Sequence, residues 1–160
     1  PGRAGAAEIL GLSLTGATPW NGAEADAAGG AGVLRASVIA DAVDDLYART
    51  EQNQFVEVTY ASGQREVLYV GDFTSGAMLA NIAARAKKAA IKELLEGGER
   101  GVRRAHVLAA VRDEVAQNED LPNTTNPEDW AKLSGRRGER IVFMRTLAGG
   151  SQGGIRALDG

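Results

Sequence analysis

The chain has 160 residues, a hydrophobic fraction of 44% and a formal net charge of −3, which predicts one large domain or two small ones. The acidic balance argues against nucleic acid or an anionic membrane as an electrostatic partner. The sequence has no cysteine, so disulfides, thiol nucleophiles and cysteine-ligated metals are excluded, and a reducing, cytoplasmic setting is expected.

Both ends of the sequence are unusual. The chain begins at Pro1, and we expect it to be a piece of a longer protein. Glycines are concentrated near the start and at the end, which predicts a mobile Gly/Ala-rich loop at 21–32 and a disordered tail at 148–160. No apolar run approaches the ~20 residues that a transmembrane helix needs, so we expect no membrane partner.

Apolar residues recur at helical spacing in four stretches of the sequence. The pattern predicts helices near 6–14, 34–49, 75–96 and 102–117. Thr74 or Ser75 supplies a side-chain oxygen that caps the third of these helices, and Gly97-Gly98 ends it.

A β-hairpin is predicted between the second and third helices. Phe55–Tyr60 and Glu66–Val70 are rich in β-branched and aromatic residues, and Ala61-Ser62-Gly63 forms the turn between them. A further strand is predicted at 140–147, with a short helix near Trp130. We expect the hairpin and this strand to pair in a small, β-grasp-like sheet, which makes the chain an α+β protein.

Catalytic groups are sparse in the sequence. An ATPase needs a glycine-rich loop with the spacing GxxxxGK[ST], whose backbone N–H groups and lysine hold the phosphates, and the sequence contains no Gly-Lys pair. His106 is the only histidine, which excludes a zinc site built on several histidines, and we interpret it as an ordinary helix histidine. We therefore predict no catalytic residue and no metal site in this chain.

Basic residues lie at Arg85, Lys87 and Lys88 on the third helix and at Arg136-Arg137 in a glycine-flanked loop. A nucleic-acid face requires aromatic side chains among such cations, and the sequence has two Trp, three Tyr and three Phe in all. We therefore expect no nucleic-acid partner. Contact with another subunit, contact with nucleotide and plain solubility remain open as roles for these cations.

Several motifs resemble known families. Phe73-Thr-Ser-Gly-Ala-Met78, followed by Ala83-Ala-Arg-Ala86, is similar to the small helical subdomain of AAA ATPases. Three further segments resemble the C-terminal region of the actinobacterial proteasome-associated AAA ATPases: Phe55-Val-Glu-Val-Thr-Tyr-Ala-Ser-Gly63, Asn118-Glu-Asp-Leu-Pro-Asn-Thr-Thr-Asn-Pro-Glu-Asp-Trp130 and Gly138-Glu-Arg-Ile-Val142. This second resemblance is clear from Val33 to Leu147 and weaker over 1–20.

By this resemblance the chain is the lid of a hexameric, ATP-driven protein unfoldase. Ser75, Gly76 and Ala77 would contact the nucleotide, because a Gly-Ala pair at a helix start lets a flat base or a ribose approach the backbone. Arg85 and Lys88 would contact a neighbouring subunit. ATP or ADP, with Mg²⁺, would be bound by an ATPase core that this chain lacks.

The family's other partners follow from the same resemblance. The ring takes up proteins tagged with a small ubiquitin-like protein through an N-terminal region and delivers them to the proteasome core particle. It docks there through a tail ending Gly-Gln-Tyr-Leu, whereas this chain ends Leu158-Asp159-Gly160.

The resemblance also assigns a role to each part of the chain. Residues 1–50 hold the end of the ATPase core and the first lid helices, and 51–147 hold the hairpin, the remaining lid helices and the C-terminal strand. Residues 148–160, beyond the resemblance, are the disordered tail that the composition predicts. Two other interpretations stay open: a proteasome-docking module with no direct role for nucleotide, and an unrelated α+β domain.

Overall fold

The computed structural model describes residues 1–119 and 140–147, and the backbone of 155–157. Its helices are α1 (Arg3–Ser13), α2 (Gly22–Ala28), α3 (Ala31–Tyr47), α4 (Val70–Phe73), α5 (Gly76–Leu95) and α6 (Arg104–Gln117). Its strands are β1 (Gln54–Tyr60), β2 (Arg65–Tyr69), β3 (Ile141–Thr146) and β4 (Ile155–Ala157). The predicted α+β class is confirmed. Among these helices, none combines the length and the hydropathy that a bilayer crossing requires.

The chain divides into two compact units, each assembled from two separate segments. The first consists of Pro1–Ala48 and Thr74–Val115, and the second of Arg49–Phe73 and Ala116–Gly160. The first unit is helical and the second contains the sheet. The boundaries predicted at residues 50 and 147 stay predictions.

The helical unit is built around a continuous apolar core. Helix α1 packs against both α3 and α5, and α2 packs against α3. Leu10, Leu34, Leu79 and Ile82 are among the fully buried side chains. Truncating one such leucine to alanine costs about 2–5 kcal/mol. The apolar residues at helical spacing in α3 and α5 therefore mark the inward faces of these two helices.

The second unit contains an antiparallel sheet of four strands in the order β2-β1-β3-β4. Strand β1 pairs with β2, where Glu57 lies opposite Val67, and with β3, where Val58 lies opposite Met144. Val56, Val58 and Met144 are buried, whereas Glu57 between the two valines is partly exposed. The predicted pairing of the hairpin with the C-terminal strand is confirmed.

The mobile loop predicted at 21–32 is wrong, because Gly22–Ala28 forms α2. Asn21 caps this helix by accepting a hydrogen bond from the backbone N–H of Glu24 at 3.0 Å, and Gly29 ends it with φ +98°. Alanine and glutamate are good helix formers, and a cap at each end outweighs the cost of the glycine within the helix.

The disordered tail predicted at 148–160 is wrong over Ile155–Ala157, which forms β4. The backbone of this strand pairs with β3, with Arg156 opposite Met144. An edge strand such as β3 presents unpaired backbone N–H and C=O groups, and any extended segment can pair with them. Because such pairing needs no apolar side chains, the polar composition of the tail gives no sign of a strand. The short helix predicted near Trp130 lies outside the described residues.

Candidate functional site

Helix α5 begins at an exposed, capped turn. Ser75 has an extended backbone (φ −112°, ψ 164°), and its hydroxyl oxygen accepts a hydrogen bond from the backbone N–H of Met78 at 3.2 Å. Ser75, Gly76 and Ala77 are exposed, whereas Thr74 before them and Met78 after them are buried. The predicted cap is therefore confirmed, with Ser75 as the capping residue.

The backbone at the start of α5 is open to approach by a ligand. A Cβ added to Gly76 would meet one heavy atom within 4 Å, the Cδ1 of Ile9 at 4.0 Å. The first N–H groups of a helix have no acceptor within the helix, and the Ser75 hydroxyl serves that of Met78. No acidic residue lies in the first turn, so the positive end of the helix dipole is not offset there. This turn can bind a polar or anionic group at the backbone of Gly76 and Ala77.

Helices α1 and α3 support this turn from behind. Leu10 and Leu79 are buried where α1 packs against α5. At the end of α3, Tyr47 forms a hydrogen bond with Thr74, which immediately precedes the cap, and donates another to the carbonyl oxygen of Pro1 at 2.5 Å. Burial raises the pKa of Tyr47 above its ordinary value. The exposed turn therefore lies on a well-packed base.

The two residues predicted to contact a neighbouring subunit lie further along α5, in different surroundings. Arg85 Nε donates to Glu114 Oε2 on α6 at 2.9 Å, and the Glu114 side chain is only 4% exposed. Asn81 Nδ2 donates to the other oxygen of Glu114 at 3.1 Å. Lys88 is exposed. Arg85 therefore joins α5 to α6, and Lys88 is the more exposed cation of the predicted pair.

A charged cluster near the far end of α5 was not anticipated from the sequence. The backbone N–H of Arg103 donates to Nδ1 of His106 at 2.9 Å, so the other ring nitrogen, Nε2, carries the hydrogen of the neutral imidazole and donates to Glu93. Glu93 also pairs with the Arg103 guanidinium. Arg103, with a smaller contribution from His106, holds the pKa of Glu93 below its ordinary value, and Glu93 raises the pKa of Arg103.

Part of this cluster has a signal in the sequence. His106 occupies the third position of α6, from which a side chain reaches back to the cap N–H, so it takes the place that Glu or Gln holds in a capping box. Glu24 accepts a hydrogen bond of 3.2 Å from the backbone N–H of Arg104. These two residues are 80 positions apart, so only the folded structure reveals this contact. Across residues 1–119 and 140–147, no three His, Cys, Asp or Glu side chains are grouped to hold a metal ion.

Comparisons with known proteins give a consistent result. The model of the family described as ARC, AAA+ ATPase lid domain, matches residues 1–158. A Proteasome-associated ATPase of Acidothermus cellulolyticus is 60% identical over 117 residues, which cover 73% of this chain and 20% of that protein. The protein of the same name from Frankia casuarinae is 58% identical over 117 residues, covering 73% of this chain and 19% of the relative.

A third relative, the Proteasome-associated ATPase of Streptosporangium roseum, is 54% identical over 129 residues, covering 81% of this chain and 22% of the relative. The chain therefore spans about a fifth of the length of the curated relatives it matches.

Proposed function

This chain belongs to the ARC family of AAA+ ATPase lid domains, and we propose that it forms the lid over the nucleotide in an ATPase that works with the proteasome. The resemblance inferred from the sequence motifs is confirmed by the match over residues 1–158. The name of the relatives, Proteasome-associated ATPase, supports the association. The observation that carries the nucleotide role is the exposed, capped start of α5 at Ser75, Gly76 and Ala77.

The residues at this turn fit a nucleotide. Gly76 has no side chain to keep a base or ribose away from the backbone, and the N–H groups of Gly76 and Ala77 are available as donors. ATP, once bound and hydrolysed in the whole protein, would supply the free energy for its work. This chain would bind and orient the nucleotide from one side, and Mg²⁺ would be held by an ATPase core, since no three His, Cys, Asp or Glu side chains among the described residues are grouped to hold a metal ion.

Helix α5 is well suited to carry a movement away from the nucleotide. Its 20 residues span about 30 Å, from the Ser75 cap to the turns that contain Glu93. Two contacts join it to α6 along the way: the Arg85–Glu114 pair and the Glu93–His106 pair. A displacement at the start of α5 would therefore move the helical unit as a body, and rigid-body movement of domains is one way in which a change at a ligand site reaches a neighbouring subunit.

The proposal extends to the whole protein. We propose a cytoplasmic, hexameric unfoldase that delivers proteins tagged with a ubiquitin-like protein to the proteasome core particle. Lys88, exposed on α5, is our candidate contact with a neighbouring subunit. Arg85 would contribute to the same surface through the part of its guanidinium that the Glu114 pair leaves exposed.

The nucleotide role is tested in a chimera in which this chain replaces the matching segment of the Acidothermus cellulolyticus relative. We expect Gly76→Trp to weaken ATP binding by about tenfold or more, equivalent to about 1.4 kcal/mol, because the indole would occupy the space the nucleotide needs. Ala84→Trp is the matched control, since Ala84 is exposed on the same helix about 12 Å further along. Binding is measured by titration calorimetry with ATP.

The result of this titration distinguishes a lid that contacts the nucleotide from a proteasome-docking module that does not. A selective loss in the Gly76 variant supports the lid role. Equal ATP affinity in the Gly76 variant, the Ala84 variant and the unmodified chimera would contradict it, and would favour a proteasome-docking module without a direct nucleotide contact.

A further inference from the structure

A second surface of the helical unit has the character of a binding site. The last turns of α5 face the segments around residues 19–20 and 100–102 across an open groove of about 340 Å³. The apolar side chains of Pro19, Ala90, Ile91, Leu94 and Val102 line it. This volume lies at the lower end of the range for ligand pockets, and it suits one or two apolar side chains of a peptide.

The wall opposite α5 is held by backbone contacts. Trp20 and Val102 form a parallel bridge, in which Val102 donates its N–H to the carbonyl of Pro19 at 2.7 Å and accepts from the N–H of Asn21 at 2.9 Å. The two backbone segments can come this close only with glycine at position 101, because a Cβ there would lie 2.7 Å from the backbone nitrogen of Asn21. The groove is therefore preformed.

Two of the apolar residues that line the groove, and one residue beside them in the sequence, are exposed at the surface. Ile91 is 60% exposed and Leu94 39%, and the adjacent Leu95 is 81% exposed. Single exposed apolar residues are ordinary in proteins, but neighbours on one helix turn beside an apolar groove mark an interaction site.

The charged side chains that line the groove are both cationic. Lys87 and Arg100 line it, and no acidic side chain does. Neither cation forms an ion pair with a described residue. Two nearby carboxylates have other partners, since Glu93 pairs with Arg103 and His106, and Glu99 accepts a hydrogen bond from Asn21 at 3.2 Å.

We propose that this groove binds a short segment of another protein in which one or two apolar side chains are flanked by carboxylates. The apolar anchor would fill the space between Ile91, Leu94 and Val102, and the carboxylates would pair with Lys87 and Arg100. Partly desolvated charges of opposite sign would add specificity to the apolar contact. This inference goes beyond the lid role, because it requires no nucleotide and no part of the start of α5.

The test uses the ¹⁵N-labelled 160-residue chain and a capped peptide with two central leucines and two aspartates on either side. We expect saturable NMR shift changes at the amides of 90–95 and 100–102, with a dissociation constant of about 1 mM or lower that rises with salt. Two control peptides, with serines in place of the leucines or lysines in place of the aspartates, should produce no saturable changes at these amides.

A pair of variants tests the charges directly. Lys87→Glu combined with Arg100→Glu should abolish binding of the aspartate peptide and create binding of the lysine peptide. Lys92→Glu is the matched control, because Lys92 is exposed on the same helix but does not line the groove, and it should leave the preference unchanged.

Three outcomes would overturn the proposal. The first is the absence of saturable changes with the aspartate peptide, and the second is equal binding of the aspartate and lysine peptides. The third is concentration-dependent dimerisation in sedimentation that Ile91→Ser abolishes, because the groove would then be filled by a second copy of the chain. None of these outcomes affects the nucleotide test at Gly76.

Discussion

Glu114 is a buried carboxylate on α6, and two side chains of α5 hold it by hydrogen bonds: Arg85 at 2.9 Å and Asn81 at 3.1 Å. The two donors are four residues apart, so they lie on one face of the helix. A buried carboxylate destabilises a fold when a partner is removed, because its charge then lacks compensation. Glu114 is therefore one of the residues that join α6 to α5.

The first prediction concerns this buried pair. Arg85→Met keeps the aliphatic stem but removes the charge, and we expect it to lower the free energy of unfolding by about 1–3 kcal/mol, measured with urea. Lys88→Met, on the exposed face of the same helix, should change it by less than about 0.5 kcal/mol. Equal effects of the two substitutions would contradict an internal role for Arg85.

The second prediction concerns Glu93, whose pKa the Arg103 guanidinium lowers in the folded chain. A lowered folded pKa stabilises the fold above the unfolded pKa of about 4.3, and this stabilisation is lost as pH falls through the folded value. We therefore expect Glu93→Gln to melt at a lower temperature than the unmodified chain at pH 7, and the two melting temperatures to converge below about pH 4.

The control for this pH dependence is Glu96→Gln, which removes an exposed carboxylate from the same end of α5. Its melting temperature should stay near that of the unmodified chain at pH 7. A gap between the Glu93 variant and the unmodified chain that is constant from pH 7 to pH 3 would show that the ion pair is not its source.

At the scale of elements, the bridge between Trp20 and Val102 ties the start of α2 to the start of α6. Asn21 strengthens the tie, because its side chain caps α2 and also donates to the carbonyl of Arg100 at 3.0 Å. Both segments come within contact distance only because Gly101 has no side chain and adopts φ +96°. A single glycine thus determines whether these two helix starts meet.

The third prediction compares two glycines with nearly the same backbone conformation. Gly101→Ala and Gly29→Ala each place alanine at a left-handed φ, of +96° and +98°, which costs about 1–2 kcal/mol. Only the Cβ at residue 101 clashes with backbone atoms, whereas that at residue 29 has no neighbour within 4 Å. We expect Gly101→Ala to lose clearly more stability in urea unfolding, and equal losses would contradict the close approach.

The elements that the sequence predicts well are those with a strong period or a strong cap. Helix α5 was predicted at 75–96 and spans Gly76–Leu95, because its apolar stripe and the Ser75 cap are both local. Helix α2 and strand β4 were missed for a physical reason: glycine content hides a capped helix, and a strand that pairs through its backbone needs no apolar pattern.

The same distinction applies to the candidate site. Ser75, Gly76 and Ala77 are adjacent in sequence, so their common exposure at one helix start could be predicted. The partner of Arg85 lies 29 residues away and the groove joins residues about 80 apart, so both depend on packing that no local pattern encodes.

At the scale of the whole molecule, the chain spans about a fifth of the length of the relatives it matches, so the nucleotide contact that we propose would form only one side of a complete site. The helical unit supplies a rigid base for the start of α5, and α5 leads from there to the groove near its last turns. The turn proposed to contact the nucleotide and the groove therefore lie at opposite ends of α5.

The most direct measurement for the lid role is photocrosslinking of 8-azido-ATP to the chimera that carries this chain, followed by mass spectrometry of the labelled peptides. The account predicts a crosslink within the peptide that contains Ser75, Gly76 and Ala77, and its loss in the presence of excess ATP. Crosslinks confined to residues outside this chain, in a chimera that still binds and hydrolyses ATP, would contradict it.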